Sequence, residues 1–331
     1  MAEKTRGYVS AQQVAELAGV SRSQVSRTFT PGASVSHKTR DKVMAAANAL
    51  GYHVNHLARG LLNEQSQIVC IVTTDLNTPY QGAFLDALST RLQQAGKVTL
   101  IINTRSADAD APEALRQSLY YRADATVILS GQPDDALVKL CLDNGQHVIV
   151  VNREPSLPGV DSLVLDNHQA ANQACQLLVN AGCRHLGLVT SSRNTPSLAG
   201  RARAFSAEAE RLGIAVSSYC HGDSDYQSGA KAARQLLVES PEIDGVFCVT
   251  DLLACGFLDV ARHEFDRKVP GDLCVIGFDN IEQATWHSYQ LTTFAQPLDD
   301  IAEAIVQRLT HASSSTTLFT PRLIRRQTLR G

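Results

Sequence analysis

From about residue 66 onward the chain alternates short, continuous Val/Ile/Leu-rich runs with longer amphipathic stretches, and this alternation constrains its fold more than any other feature. Runs suited to strands fall at 68–72, 98–102, 125–129, 148–151, 186–189, 246–249 and 274–277. Between most of them lie helical patterns, for instance 82–95, 170–181, 201–212 and 229–239. Strands that are apolar on both faces and separated by helices imply parallel sheets covered on both sides, the doubly wound α/β arrangement. The pattern extends over roughly 265 residues, large for one sheet, so two similar lobes are expected. Glu154-Pro155-Ser156-Leu157-Pro158-Gly159 suits the boundary between them. Gln296-Pro297 suits a second crossing, and Ser313-Ser314-Ser315-Thr316-Thr317 suits a linker or loop.

The first 62 residues differ in kind, with three short helical patterns and no strand run. Ser10-Ala11-Gln12-Gln13 has the form of a capping box, opening a helix whose apolar face reads as Val14, Leu17 and Ala18. Gly19-Val20 supplies a turn, and Ser21-Arg22-Ser23-Gln24 is a second capping box. Helix, short glycine-containing turn and helix is the helix-turn-helix arrangement. A third helix is expected over 37–50, stopped by Gly51.

Charge supports a polyanion partner for this head, although the whole chain has a formal net charge of −3. Residues 1–65 carry eight Lys/Arg and four acids, net +4, which leaves −7 on the remainder. A basic head on an acidic body suits a small nucleic-acid-binding module joined to a larger domain. In a helix-turn-helix the second helix enters the major groove and its N-terminal side chains meet base edges. The candidate DNA-facing set is therefore Ser21, Arg22, Ser23, Ser26 and Arg27. Arg22 is the expected base reader, because a guanidinium can donate two hydrogen bonds to guanine. Arg27 either reads a base or holds a phosphate, and Lys38, Thr39 and Arg40 suit phosphate contacts, which position without specifying.

The sequence carries no recognisable catalytic or cofactor pattern. No two glycines are two residues apart, which excludes a dinucleotide fingerprint, and the Gly182/Gly187 pair is followed by Leu188 where a P-loop needs lysine. There is no nucleophile elbow, no paired-histidine metalloprotease motif and no zinc spacing. The eight cysteines never form a C-x-x-C pair and read as buried, reduced thiols. No catalytic residue, metal or cofactor is expected. No apolar run approaches the ~18 residues of a spanning helix, and the N-terminus shows no secretory pattern, so no membrane partner is expected and the location is read as cytoplasmic.

Several segments, taken in order, resemble the lac-repressor/galactose-repressor family of bacterial transcription regulators. They are Val14-Ala15-Glu16-Leu17-Ala18-Gly19-Val20-Ser21, Val25-Ser26-Arg27, the stretch from Val35 to Val43, and Leu50-Gly51-Tyr52-His53-Val54-Asn55. The likeness continues through Asp75-Leu76-Asn77-Thr78-Pro79-Tyr80, Arg201-Ala202-Arg203-Ala204-Phe205, Thr250-Asp251-Leu252-Leu253-Ala254-Cys255-Gly256 and Val275-Ile276-Gly277-Phe278-Asp279-Asn280. It ends with Leu291-Thr292-Thr293 and Gln296-Pro297, so it covers essentially the whole chain.

The resemblance implies an all-α helix-turn-helix head and hinge helix joined to a two-lobed α/β core like a periplasmic binding protein. Its implied divisions are a head over 1–53, a hinge and linker over 54–65, one lobe from 66–164 and 293–312, and a second from 165–292 and 313–331. It further implies a homodimer on pseudo-palindromic double-stranded operator DNA, associated with the nucleoid. Asn55, Ala58 and Leu61 would lie on the hinge helix, with Leu61 as the minor-groove wedge. Val54 stands where relatives carry proline.

For the effector the resemblance implies Asn77, Tyr80, Asn152, Arg153, Arg201, Asp251 and Asp279. Such groups suit a sugar, sugar phosphate or sugar acid, since each hydroxyl both donates and accepts. Ser224 replaces a frequent aromatic and Thr250 a usual asparagine, while Trp286 suits either the cleft mouth or packing. A solute-binding receptor and an α/β enzyme with a regulatory head are the rival classes. The first would need an export signal and has no use for a basic head.

Overall fold

The computed structural model describes residues 8–30, 32–54, 65–74, 76–104, 111–129, 134–155, 157–193, 195–310 and 314–331. The chain divides into two compact units, Met1–Ser66 and Gln67–Gly331.

The first unit contains α1 (Ala11–Ala18), α2 (Arg22–Thr28) and α3 (His37–Leu50). Both capping boxes form. Ser10 Oγ accepts from the Gln13 amide at 3.3 Å while Gln13 Oε1 accepts from the Ser10 amide at 2.8 Å, and Ser21 and Gln24 repeat the exchange. Gly51 ends α3 at φ 66°, a left-handed conformation that a side chain would resist. The core is Val14, Ala15, Ala18, Val25, Val43, Ala46 and Ala47, flanked by Phe29 and Tyr52, whose rings lie 5.5 Å apart. Leu17, expected on the apolar face, is instead 56% exposed. The stripe that packs runs through Ala11, Val14, Ala15 and Ala18, an i, i+3, i+4, i+7 series that leaves Leu17 outside.

The second unit holds two parallel sheets. The first lobe is built from β1 (Ile68–Thr73), α4 (Pro79–Gln94), β2 (Val98–Asn103), α5 (Ala111–Tyr120), β3 (Ala125–Ile128), α6 (Asp135–Asp143), β4 (His147–Val151) and β5 (Asp161–Leu165). The chain then enters the second lobe: α7 (Asn167–Asn180), β6 (Leu186–Thr190), α8 (Pro196–Arg211), β7 (Val216–Cys220), α9 (Tyr226–Glu239), β8 (Gly245–Cys248), α10 (Asp251–His263) and β9 (Cys274–Ile276). It closes with β10 (Thr293–Ala295), α11 (Leu298–Thr310), β11 (Thr316–Phe319) and β12 (Arg322–Ile324).

The six-stranded sheet has the order β11-β5-β4-β3-β1-β2 and the four-stranded sheet the order β7-β6-β8-β9; β10 and β12 form an antiparallel pair. On the first sheet, Phe84, Leu88 and Leu92 of α4 pack with Ile301 and Ile305 of α11 over one face. Leu115 of α5 and Leu137 and Val138 of α6 cover the other. The second sheet is likewise enclosed by α7 to α10.

Three expectations change. The segment 154–159 is not a lobe boundary; it links β4 to β5, which are parallel neighbours in one sheet, and the chain crosses only after Leu165. Residues 313–331 do not all belong to the second lobe, since β11 joins β5 and extends the first sheet. Asp161 explains that choice: its carboxylate accepts from the Ser315 amide and the Arg308 guanidinium and contacts His147, fastening the approach to β11 onto the start of β5. Residues 293–295 stay with the second lobe through the Asp279–Ala295 bridge and β12, so the second crossing falls at Gln296-Pro297. Helices also begin earlier than expected, because side-chain caps from Asp166, Thr195 and Asp225 fix a first turn ahead of the apolar repeat. Among the described residues, no helix is long and apolar enough to cross a membrane.

Candidate functional site

In the first unit, Val25 and Thr28 pin α2 to the core and turn the opposite face outward. Ser21, Arg22, Ser23, Ser26 and Arg27 are all exposed on that face. The Ser21 hydroxyl is engaged as the helix cap and contacts Ser23 Oγ at 2.9 Å. Arg22, Ser26, Arg27 and Lys38 make no side-chain hydrogen bond or ion pair among the described residues. Thr39 is tied to Ser36 Oγ at 2.8 Å, and Arg40 donates to the carbonyl of Thr28 at 3.2 Å, bracing the end of α2 against α3. Arg40 therefore has a structural task beside the expected phosphate contact. Asn55, Ala58 and Leu61 lie outside the described residues.

In the second unit, polar side chains gather at the carboxyl ends of the second-lobe strands, where doubly wound sheets bind ligands. Arg201, only 3% exposed, projects from α8. Its Nε donates to Asn167 Oδ1 and its NH1 to the Val249 carbonyl, both at 2.8 Å. The guanidinium lies over the Phe278 ring, 3.4 Å from the centroid, and NH1 is 3.6 Å from Asp279 Oδ1. Asp279 Oδ1 also accepts from Gln296 Nε2 at 2.6 Å, and Gln296 Oε1 accepts from the Tyr80 hydroxyl at 2.9 Å. Tyr80 belongs to α4 of the first lobe, so Arg201, Asp279, Gln296 and Tyr80 form a polar chain from one lobe to the other. Asn152 lies beside Tyr80 and adopts φ 60°, while its Oδ1 is buried and unpartnered.

Asp251 sits behind this chain. Its Oδ1 accepts from Thr293 Oγ1 at 2.6 Å and its Oδ2 from the Ile281 amide at 3.0 Å. A Cβ on Gly277 would stand 2.2 Å from Asp251 Oδ1, so glycine is needed where β9 turns toward Asp279. Asp251 thus positions the turn that presents Asp279. Asn77 is exposed before α4 and makes no side-chain hydrogen bond or ion pair among the described residues, and Arg153 contributes its carbonyl as the acceptor of Ser162 Oγ. Trp286 stacks on Tyr289 at 6.4 Å, a packing contact. The Ser224 and Thr250 hydroxyls are buried without partners. Gln296, the bridging residue, is legible in the sequence only as part of a crossing and of the family's closing motif, with no binding role attached; its place after a short strand and before Pro297 is the available signal.

Burial pushes the carboxyl of Asp279 up to about 7, with Arg201 opposing, and that of Asp251 up to about 6, with the Thr293 and Ile281 hydrogen bonds opposing. Both exceed the unfolded carboxyl value of about 4. Between about pH 4 and 7 the folded chain therefore holds protons that the unfolded chain has released, and this contribution to stability falls as pH rises. Glu208, held at about 2 by Arg211 and Gln176, loses its stabilising contribution only below about pH 4. The second unit is expected to melt at a higher temperature at pH 5 than at pH 7, and Asp279→Asn should flatten that dependence. A wild-type midpoint that rises with pH across this window would contradict the assignment.

A model of the lacI family of bacterial regulatory proteins matches residues 10–55, and one for periplasmic binding protein-like domains matches 175–329. The HTH-type transcriptional regulator GalS of Salmonella typhimurium is 30% identical, with 97% of this chain and 96% of that protein covered. The HTH-type transcriptional repressor CytR of Escherichia coli is 27% identical, covering 100% and 99%. Among solved structures, a lac repressor dimer bound to operator and the anti-inducer ONPF matches at TM-score 0.87 and 24% identity, over 98% of this chain and 100% of that one. A transcriptional regulator CelR–cellobiose complex matches at TM-score 0.68 and 26% identity, over 97% and 99%. A helix-turn-helix head on a periplasmic-binding-protein-like core defines a DNA-binding transcriptional regulator rather than an enzyme. The chain belongs to the lacI family of bacterial regulatory proteins.

Proposed function

We propose that this regulator is a repressor that binds a pseudo-palindromic operator as a homodimer and is controlled by a small carbohydrate between its two lobes. The observation that carries the reading is the polar chain from Arg201 through Asp279 and Gln296 to Tyr80, which joins the lobes at the strand ends. Each of these groups can exchange its present partner for a ligand hydroxyl. An effector would thus replace a lobe-to-lobe contact with one of its own and bias the relative arrangement of the lobes. The related CelR–cellobiose complex supports the ligand class. Arg201 faces Asp279 and is backed by Asp251, so a neutral polyol suits the cleft better than a sugar phosphate or sugar acid.

On the DNA side, Arg22 is the base reader, Ser21, Ser23, Ser26 and Arg27 surround it, and Lys38, Thr39 and Arg40 meet phosphates. Asn55, Ala58 and Leu61 would act on the hinge helix, with Leu61 wedged into the minor groove. One head of net charge +4 binds weakly, so two heads must act together to be selective against a genome of competing sites. Asn77, Asn152 and Arg153 would complete the cleft wall around Tyr80, Arg201, Asp251 and Asp279. The place of action is the cytoplasm, at the nucleoid.

A thermal-shift screen of the full chain against neutral sugars, sugar phosphates and sugar acids tests the ligand class. A neutral sugar at a hundred times its dissociation constant should stabilise the second unit by about 2.7 kcal/mol. Stabilisation by charged sugars alone, or by none, would contradict it.

A further inference from the structure

Seven of the eight cysteines are buried, and two of these meet at the amino-terminal edge of the second sheet, the edge opposite the cleft. Cys183 precedes β6, and its sulfur lies where Gly245, the first residue of β8, has no side chain. A Cβ there would stand 2.8 Å from Cys183 Sγ. Gly245 is in register with Cys274, the first residue of β9. Residues paired across parallel strands project to the same face, so Cys274 emerges beside the sulfur that fills the glycine's space. The two thiols thus lie side by side.

Arg330 closes the group. Its NH2 donates to Cys183 Sγ at 3.1 Å and its backbone amide to Cys274 Sγ at 3.5 Å. The side chain is held in place by the carbonyls of Ala181 at 2.9 Å and Gly271 at 2.7 Å. The Cys183 thiol also donates to the Asp244 carbonyl at 3.2 Å. The Cys183 thiol beside it, the Arg330 amide and the Arg330 charge hold Cys274 below the usual thiol range, while Cys183 is raised. Cys70 and Cys141 also lie near each other, but burial pushes both of them up. Reactivity of a thiol follows its thiolate fraction, and a second thiol in contact resolves the first oxidation product.

We propose that Cys183 and Cys274 form an oxidisable dithiol that hydrogen peroxide converts into an intramolecular disulfide, with Arg330 as its activating cation. The Cys274 thiolate attacks one peroxide oxygen, the O–O bond breaks, and the departing hydroxide takes a proton to leave as water. Cys183, losing its proton, then attacks the resulting sulfenic sulfur; the S–S bond forms, the S–O bond breaks, and a second water leaves. Two thiols are oxidised by two electrons in all, and one peroxide is reduced to two waters.

The test uses the full chain treated with hydrogen peroxide, quenched by alkylation and mapped by peptide mass spectrometry. The expected product is a cross-linked pair of peptides containing Cys183 and Cys274, reversed by dithiothreitol and formed faster than any change at Cys70 or Cys141. Cys220, exposed and single, supplies the reference rate for an unassisted thiol. Arg330→Gln should slow the cross-link several-fold at neutral pH and recover at alkaline pH, where the thiolate no longer depends on a cation; a fold defect would not recover. Cys183→Ser should leave Cys274 as a sulfenic acid that dimedone captures. A wild-type chain that forms no such cross-link, or forms it no faster than Cys70 and Cys141 react, would overturn the proposal. An Arg330→Gln rate unchanged at both pH values would remove the role of Arg330.

Discussion

Arg201→Ala is expected to destabilise the second unit by about 3–5 kcal/mol, the range seen when one partner of a buried ion pair is removed, and to abolish effector binding. Arg201 is almost wholly buried and serves four neighbours at once: Asn167, the Val249 carbonyl, Asp279 and the face of Phe278. Its loss leaves Asp279 without its cation and two acceptors without their donor. Arg201→Lys should also fail to restore the site, because an ammonium cannot reproduce the planar fork that reaches Asn167 and Val249 together. Denaturant unfolding gives the stability, and ligand-induced thermal shift gives the binding. Operator binding measured well below the reduced melting temperature should persist, since the head has its own core of Val14, Val25 and Val43. Near wild-type stability together with a normal ligand shift would contradict the role assigned to Arg201.

The second large effect is expected on the DNA. Arg22→Ala should reduce discrimination at one base pair of each half-site by about 1–3 kcal/mol, the value of a bidentate arginine–guanine contact. Arg22 is exposed in the first turn of α2, and nothing in the described head competes for its guanidinium. Lys38→Ala should instead weaken binding evenly across sequences and shallow the salt dependence, as loss of a phosphate contact does. Binding selection on random DNA separates the two variants. An Arg22→Ala profile identical to wild type would move base reading to Arg27 or Ser26.

What was legible in the sequence follows the range of the forces involved. Ser10 with Gln13 and Ser21 with Gln24 settle their helix starts through side chains three residues apart, so both capping boxes could be read directly. Leu17 could not, because only the packing of α1 on α3 decides which stripe is buried. β1, β3, β4 and β8 are wholly or largely buried and show as apolar runs, whereas β5 begins Asp161-Ser162 and β7 contains Ser217-Ser218, which hid both. The placement of β11 depends on Asp161, more than 150 residues earlier in the chain, contacting Ser315. Within the cleft, Tyr80, Arg201 and Asp279 came from the family resemblance and not from spacing. The bridging role of Gln296 is not legible in the sequence, because its two hydrogen bonds go to residues far away along the chain.

The claim at the centre of this reading is that the cleft and the operator are coupled. The measurement that tests it is operator affinity of the full chain, by fluorescence anisotropy on a selected operator, with and without a saturating sugar identified by thermal shift. Coupling of the usual size changes the apparent dissociation constant by about 5- to 150-fold, and the sugar's own affinity must change by the same factor when operator is bound. A sugar that binds in the cleft while operator affinity stays the same would contradict it.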